Sequence, residues 1–250
     1  MNVAFFLLLT AVGLLIPKVF PRKDSAARRG VRTPLGKLTW PVAMQVLWAF
    51  FGTFLGIALL GIAGNAALVF ALIAAVIWGL SENRFVLTAA GILLAVSAVL
   101  LLFATPNLGT PLNLHLWYSQ HANTGLSLEQ IVAAFALLIL LGSPANAVVA
   151  AVLERARRGE VQPNADQPTA GLRGGRLIGV LERYLLVVLA SAGLSAAIAA
   201  LVAAKGVIRF PEISQDAQSN GGGAKAEEFL AGSLTSWSLA SLAALLFAAL

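Results

Sequence analysis

Seven apolar stretches, separated by short polar segments, occupy most of this 250-residue chain. A helix of about 20 apolar residues crosses a bilayer, because it rises about 1.5 Å per residue through about 30 Å of hydrocarbon. Charged residues make up 11% of the chain, against about 25% in a soluble domain. The sequence therefore predicts an all-α fold, a polytopic transmembrane helix bundle of about seven spans. The predicted spans are residues 3–16, 40–60, 66–80, 85–104, 128–153, 184–204 and 229–250.

Lys and Arg fall in alternate loops, and this predicts the orientation of the chain, because cytoplasmic loops carry the excess of positive charge. Residues 17–38 hold seven Lys and Arg and residues 154–176 hold five, whereas residues 105–127 hold none. We expect a bacterial plasma-membrane protein with its N-terminus outside and its C-terminus inside.

The basic residues also indicate the partners of the chain. The net charge of +6 mainly reflects orientation, so nucleic acid is not an expected partner. The expected partners are the lipid bilayer and its anionic headgroups, contacted by Arg155, Arg157 and Arg158.

Composition divides the chain into parts. Residues 1–153 form a predicted five-span part with short connections. Residues 154–176 form a basic cytoplasmic linker that contains Pro163 and Pro168, and residues 177–250 form a two-span module. We predict a flexible loop at 211–226 within this module, because it contains the run Gly221, Gly222 and Gly223.

Small residues recur at helical spacing in three of the predicted spans. They form a Gly52/Gly56 pair, a stripe of Ser191, Ser195, Ala199 and Ala203, and a stripe of Gly232, Ser236 and Ala240. Such residues let helix backbones approach closely in lipid. We expect them to pack helices together, with the last two spans as neighbours. A membrane protein partner or a homo-oligomer would use the same kind of surface.

Several polar residues within or beside the spans are candidates for a substrate or ion pathway. Pro144 interrupts the helical hydrogen bonding of the fifth span, where Ser143 and Asn146 could instead satisfy the freed backbone group. Charges at membrane depth are costly and tend to be paired or functional, although long side chains also reach the interface. The candidates are Pro144, Asn146, Glu182, Arg183, Lys205, Arg209 and Glu228.

Two models fit the sixth span. Residues 184–204 are long enough for a single crossing and contain no charge and no proline. We therefore predict one continuous helix, with Lys205 paired with Glu228, or Arg209 with Glu227, near the outer face. The alternative is a re-entrant hairpin that turns at Gly193 and places Lys205 beside Glu182.

Signals for catalysis and metal binding are weak. The chain has no Cys, and its two histidines, His115 and His121, have no neighbouring carboxylate to complete a metal site. Ser127 and Gln130 have the spacing of a capping box, so we interpret Glu129 as part of the start of a helix. We predict no catalytic residue, no metal and no cofactor.

Three blocks near the C-terminus carry a family resemblance. They read GRLIGVLER at 175–183, AAKGVIRFPE at 203–212 and EEFLAGSLTSW at 227–237. They resemble the C-terminal part of an uncharacterised family of small multi-pass bacterial membrane proteins common in high-GC Gram-positive bacteria. The resemblance covers the last third of the chain. It implies membrane placement, and it implies no substrate, cofactor or catalytic residue.

Three classes of function fit these patterns. The first is a transporter, channel or lipid-handling protein, because almost the whole chain is predicted to lie in the membrane. The second is a noncatalytic membrane subunit or regulator, which would leave a small-residue stripe exposed for a partner. The third is a membrane-embedded enzyme, whose chemistry would depend on Glu182, Glu228 or the histidines, since no phosphate loop or hydrolase motif is present.

Overall fold

The computed structural model describes residues 2–19, 40–60, 73, 76–77, 85–102, 118, 120–121, 125–157, 175–218 and 224–250. Every regular element in these ranges is a helix, and this confirms the predicted all-α class. The helices are α1 (Asn2–Val19), α2 (Trp40–Leu60), α3 (Val86–Leu102), α4 (Leu128–Leu141), α5 (Ser143–Arg157), α6 (Gly175–Ser191), α7 (Ser195–Gln218) and α8 (Ala224–Ala248).

Within the described ranges, one helical segment is long and apolar enough to cross a membrane alone, namely Ala226–Ala248 of α8. The bent pair α4 and α5 would be a second if it forms one span. Shorter apolar segments lie at Val3–Ile16, Met44–Leu55 and Val86–Val99. The bundle of seven complete spans stays a prediction, and most of the predicted span 66–80 lies outside the described residues.

The chain divides into two compact units, Met1–Ile139 and Leu140–Leu250. The sequence placed the corresponding boundary at residue 153. The difference concerns α5, which packs against α6 and α8 and so belongs with the C-terminal helices.

In the first unit, α1 packs against α2 and α3 through an apolar core. Phe6, Leu9, Ala49, Ile73 and Ile77 are all buried there. The backbones approach closely at Gly52, where an added Cβ atom would lie 2.2 Å from Leu9 Cδ2. Gly52 therefore has the packing role that the sequence predicted, while the surroundings of Gly56 lie outside the described residues.

Two side chains join α2 to the backbone of α1. The indole Nε1 of Trp48 donates to the Leu9 carbonyl at 3.0 Å, and Gln45 Nε2 donates to the Gly13 carbonyl at 3.4 Å. Both donors therefore bond to a neighbouring helix, as buried polar groups in an apolar core require.

The start of α4 is the predicted capping box. Ser127 Oγ accepts from the Gln130 backbone N–H at 3.0 Å, and Gln130 Oε1 accepts from the Ser127 N–H at 3.0 Å. At its other end, α4 is separated from α5 by Gly142 with a bend of 42°. Pro144 is the second residue of α5, and a helix accepts proline in its first turn because no intrahelical bond is lost there.

The second unit is organised around α8, which packs against α5, α6 and α7. The predicted contact between the last helices of the chain is thus confirmed. The predicted loop at 211–226 is wrong at residues 211–218 and 224–226, which are helical because α7 continues to Gln218 and α8 begins at Ala224. Residues 219–223 lie outside the described ranges.

The predicted single helix over 184–204 is wrong, because α6 ends at Ser191 and α7 begins at Ser195. Gly193 between them has a φ of 70°, a left-handed conformation that side chains with a Cβ atom disfavour. The Gly193 N–H donates to the Ala190 carbonyl at 3.0 Å and the Leu194 N–H to the Leu189 carbonyl at 2.9 Å. These two bonds form a Schellman motif, which ends α6 and allows α7 to pack back against it.

Candidate functional site: a charged cluster between the C-terminal helices

Arg183, in the middle of α6, is the most deeply buried charged side chain in the described part of the protein, with 1% of its surface exposed. Its Nε donates to the Leu141 carbonyl at 2.8 Å, and its Nη1 donates to Ser236 Oγ on α8 at 3.1 Å. Its Nη2 donates to Asn146 Oδ1 on α5 and approaches the Gly142 carbonyl at 3.5 Å. Arg183 therefore joins α5, α6 and α8 at one level.

The break between α4 and α5 explains why an arginine lies here. The last carbonyls of a helix have no intrahelical donors, and leaving such groups unpaired in an apolar interior is costly. The planar guanidinium of Arg183 offers several donors in a fixed arrangement, and it reaches the carbonyls of both Leu141 and Gly142. The predicted polar site around Pro144 and Asn146 is thus filled by an arginine from a neighbouring helix.

Glu182, the residue before Arg183, pairs with Lys205 of α7. The Lys205 Nζ lies 2.5 Å from Glu182 Oε2, and both side chains are largely buried. The same Nζ lies 5.4 Å from the ring centroid of Trp237 and 5.9 Å from that of Phe229, both on α8. The ammonium group therefore has a carboxylate and two aromatic rings as neighbours.

Glu182, Arg183 and Lys205 form what we call the charged cluster. It contains two cationic groups and one anionic group, and so carries one net positive charge. Among the described residues no carboxylate forms an ion pair with Arg183. The neighbouring carboxylate, Glu182, pairs with Lys205. Charge-assisted hydrogen bonds to neutral oxygens stabilise the guanidinium instead.

The predicted pairing of Lys205 with Glu228 is wrong. Glu228 pairs with Arg157 at the end of α5, and both side chains are exposed. The reason is the hairpin turn at Gly193, which returns α7 along α6 and brings Lys205 to Glu182. Arg209 lies farther along α7 and is half-buried.

The predicted lipid-contacting arginines are only partly described. Arg155 and Arg157 are exposed at the end of α5, and Arg157 makes the ion pair with Glu228. Arg158 lies outside the described residues. Headgroup binding by these residues stays a prediction.

The two small-residue stripes of this unit have different environments. Ser236 and Ala240 are buried on α8, and an added Cβ atom at Gly232 would lie 3.6 Å from Leu153 Cδ2 of α5. That stripe packs helices, as predicted. The stripe Ser191, Ser195, Ala199 and Ala203 is divided between α6 and α7, and all four residues are exposed. The prediction that it packs within the bundle is wrong.

Only one of the two histidines lies in the described part of the chain. His121 is exposed, and His115 lies outside the described residues. No group of three or more His, Cys, Asp or Glu side chains in the described ranges is arranged to hold a metal ion.

Sequence reasoning named Glu182, Arg183, Lys205 and Asn146 but missed the roles of Phe229 and Trp237. The available signal was two aromatic residues about two helical turns apart in α8. Aromatic residues in an apolar helix are usually read as core or interface residues, and only the hairpin shows that a lysine lies over their rings.

Comparisons with known proteins add no family to this geometry. No protein-family model, no curated protein and no solved structure matches the chain.

Proposed function

We propose that this chain is an integral protein of the bacterial plasma membrane that moves a small charged solute, and that the charged cluster lies on its pathway. The observation that carries this proposal is the position of the cluster beside the middle of a membrane-length helix. Ionisable side chains inside membrane segments are rare, and they commonly mark solute or ion pathways.

The depth of the cluster follows from α8. Arg183 bonds to Ser236, which is ten residues from Ala226, or about 15 Å along the helix. That distance is half of a hydrocarbon core of about 30 Å. Lys205 lies beside the rings of Phe229 and Trp237, which are three and eleven residues from Ala226, so its ammonium group also lies within the length of the segment. A bilayer centred on α8 therefore encloses all three charges.

The surface of this unit supports contact with lipid. Large apolar side chains are exposed on three of its helices, and such an extensive apolar surface is unusual for a monomer in water. They include Leu177, Ile178, Leu181, Leu185 and Val188 on α6, Val207, Ile208 and Phe210 on α7, and Leu230, Leu234, Leu242 and Leu245 on α8.

The hairpin changes the proposed topology. The Arg157–Glu228 pair joins the start of α8 to the end of α5, where the basic segment 154–176 begins, and Glu228 lies about 12 Å along α8 from Ser236. Gly193 lies ten residues beyond Arg183, or about 15 Å farther along the chain. The two arms of the hairpin are α6 and α7, and both are longer than the arms of a re-entrant loop, each of which reaches only half of the bilayer. We propose that α6, α7 and α8 each cross the bilayer. The proposed bundle then has eight spans, in which α4 and α5 form one span and the predicted span 66–80 is included. Both the N-terminus and residue 250 then lie outside.

Cysteine labelling in this Cys-free chain tests the pathway. Ser233 and Leu234 are neighbours on α8 at the level of the cluster, but Ser233 is 5% exposed and Leu234 is 57% exposed. N-ethylmaleimide enters membranes and reacts with the thiolate, which requires contact with water. In membranes, Ser233→Cys should react and the matched control Leu234→Cys should not. Failure of both to react would show a dry interior and reject a solute pathway.

A noncatalytic membrane subunit is the second candidate, and the exposed stripe of Ser195, Ala199 and Ala203 on α7 favours it. Small residues facing lipid provide a surface on which another helix can pack closely. Purification in mild detergent tests this function, because a subunit should elute with a second protein in fixed ratio. An enzymatic role has less support, since Glu182 and Glu228 are both engaged in ion pairs.

A further inference from the structure

The surroundings of the Lys205 ammonium group have the composition of an ammonium-binding site. Glu182 Oε2 lies 2.5 Å from Nζ, and the rings of Trp237 and Phe229 lie 5.4 and 5.9 Å away. A cation near the face of an aromatic ring is attracted by the ring quadrupole, more strongly when water is excluded. A carboxylate with two aromatic rings is therefore a set of groups suited to an organic cation.

We propose that Glu182, Phe229 and Trp237 form a binding site for a primary ammonium ion, and that Lys205 occupies this site as a tethered ligand which an incoming amine displaces. This inference rests on the proposed function, because it names the solute class for the pathway. A primary ammonium fits better than a quaternary one, since the carboxylate needs an N–H donor.

The packing of α7 allows Lys205 to leave. Beyond Lys205, the side chains of Val207 and Ile208 are 72% and 75% exposed, so few protein contacts hold this part of the helix. Departure of Lys205 leaves Glu182 as a carboxylate beside two aromatic rings, and an entering amine restores the ion pair. Because a tethered ligand acts at an effective concentration in about the millimolar range, a free amine must reach similar concentrations to compete.

Two sources could supply the primary ammonium group. One is a small alkylamine in solution, and the other is the ethanolamine headgroup of a phospholipid. Both present the same R–NH₃⁺ chemistry to Glu182. The experiment below therefore contains one arm for each source.

Chemical rescue tests the site. Lys205→Met keeps an apolar stem and removes the ammonium group, so ethylammonium can enter without competition. Ethylammonium chloride is titrated into the purified variant in detergent, and the unfolding temperature is measured against sodium chloride at equal ionic strength. We expect a saturable rise of a few degrees, with half-saturation near millimolar concentration, because a ligand that binds only the folded state stabilises it. Tetramethylammonium should have a smaller effect.

The double variant Glu182→Gln/Lys205→Met is the matched control and should lose the ethylammonium effect. In the second arm, phosphatidylethanolamine replaces ethylammonium, with phosphatidylcholine as its control. A Glu182-dependent rise in either arm supports the site and identifies the source. No saturable rise in either arm, or a rise that persists in the double variant, would overturn it.

Folding of the variant does not limit the test. If Lys205→Met is recovered folded only when ethylammonium is present during purification, that recovery supports the site, and failure to recover it under both conditions counts against the site. The outcome is separable from the proposed function. Loss of amine binding with Ser233→Cys still labelled would reject this ligand class alone, whereas an unlabelled Ser233→Cys with amine binding intact would reject the pathway alone.

Discussion

The two compact units of this chain are stabilised by different interactions. In Met1–Ile139 the helices α1, α2 and α3 pack through apolar side chains, and the closest approach is Gly52 against Leu9. In Leu140–Leu250 a buried arginine and a largely buried ion pair join the helices. Arg183 bonds to the carbonyls at the break between α4 and α5, whereas the largely buried Glu182–Lys205 pair is an added cost that function would explain.

The contrast predicts different responses to substitution. Steric changes should affect the first unit most, because close-packed interiors have few voids. Loss of a polar group should affect the second unit most, because partners are left without hydrogen bonds.

The largest effect is expected for Arg183→Met. Removal of the guanidinium leaves the Leu141 carbonyl, Asn146 and Ser236 without their donor, and the expected loss of stability is about 3 kcal/mol. The measurement is the unfolding temperature of the purified protein in detergent. Arg155→Met at the exposed end of α5 is the control and should change little. Equal stability of both variants would mean that Arg183 does not hold the helix break.

The next effect is steric and belongs to the first unit. Gly52→Ala places a methyl group against buried Leu9 and should cost about 1–3 kcal/mol. Leu9→Ala leaves a cavity and should be costly by itself. The double variant should be less destabilised than the sum of the two, because the new methyl group occupies part of the vacated space. Gly91→Ala on α3, where an added Cβ atom meets nothing within 4 Å, is the control and should stabilise the protein by up to about 1 kcal/mol, because alanine is favoured over glycine within a helix.

Much of the helical architecture can be predicted from the sequence alone. The apolar stretches predict the helix positions, and the capping box at Ser127 predicts the start of α4. A continuous helix was predicted in place of the hairpin, because residues 184–204 have the length and composition of one span. That length outweighed the signal of a single glycine. The glycine alone did not identify the turn, and only the structure shows that Gly193 has a left-handed conformation there.

The site was harder to predict than the fold. Glu182, Arg183 and Lys205 were named because charges beside apolar spans are unusual, but their partners depend on which helices are neighbours. The predicted Lys205–Glu228 pair followed from the wrong topology. Arg183 bonds to backbone carbonyls at Leu141 and Gly142, and side-chain patterns contain no information on that contact.

A smaller effect is expected at the hairpin turn. Gly193→Ala introduces a Cβ atom where φ is 70°, with an expected cost of about 1 kcal/mol. Gly206→Ala on α7 is the matched control, because it lies within a helix, where alanine is favoured over glycine by about 1 kcal/mol. Opposite shifts in unfolding temperature are expected. Similar shifts in the two variants would mean that the turn at Gly193 does not limit stability.

The smallest effect is expected at the exposed end of α5. Exposed ion pairs contribute about 0–1 kcal/mol, so Arg157→Gln should alter stability little despite its bond to Glu228. The triple change of Arg155, Arg157 and Arg158 to Gln should instead weaken retention of anionic lipid, since each basic residue near such a surface contributes about 1 kcal/mol. Native mass spectrometry of bound lipid measures this, and unchanged retention would leave these residues as orientation signals only.

The proposed membrane topology of the second unit depends on the hairpin of α6 and α7, and cysteine accessibility in intact cells tests it most directly. Three crossings separate the basic segment 154–176 from the end of α8 if the hairpin crosses fully, whereas a single helix over 184–204 leaves two. A membrane-impermeant maleimide should therefore label Ala249→Cys and Ala192→Cys in intact cells, and Asp166→Cys only after permeabilisation. Labelling of Asp166→Cys and Ala249→Cys from the same side of the membrane would contradict the hairpin.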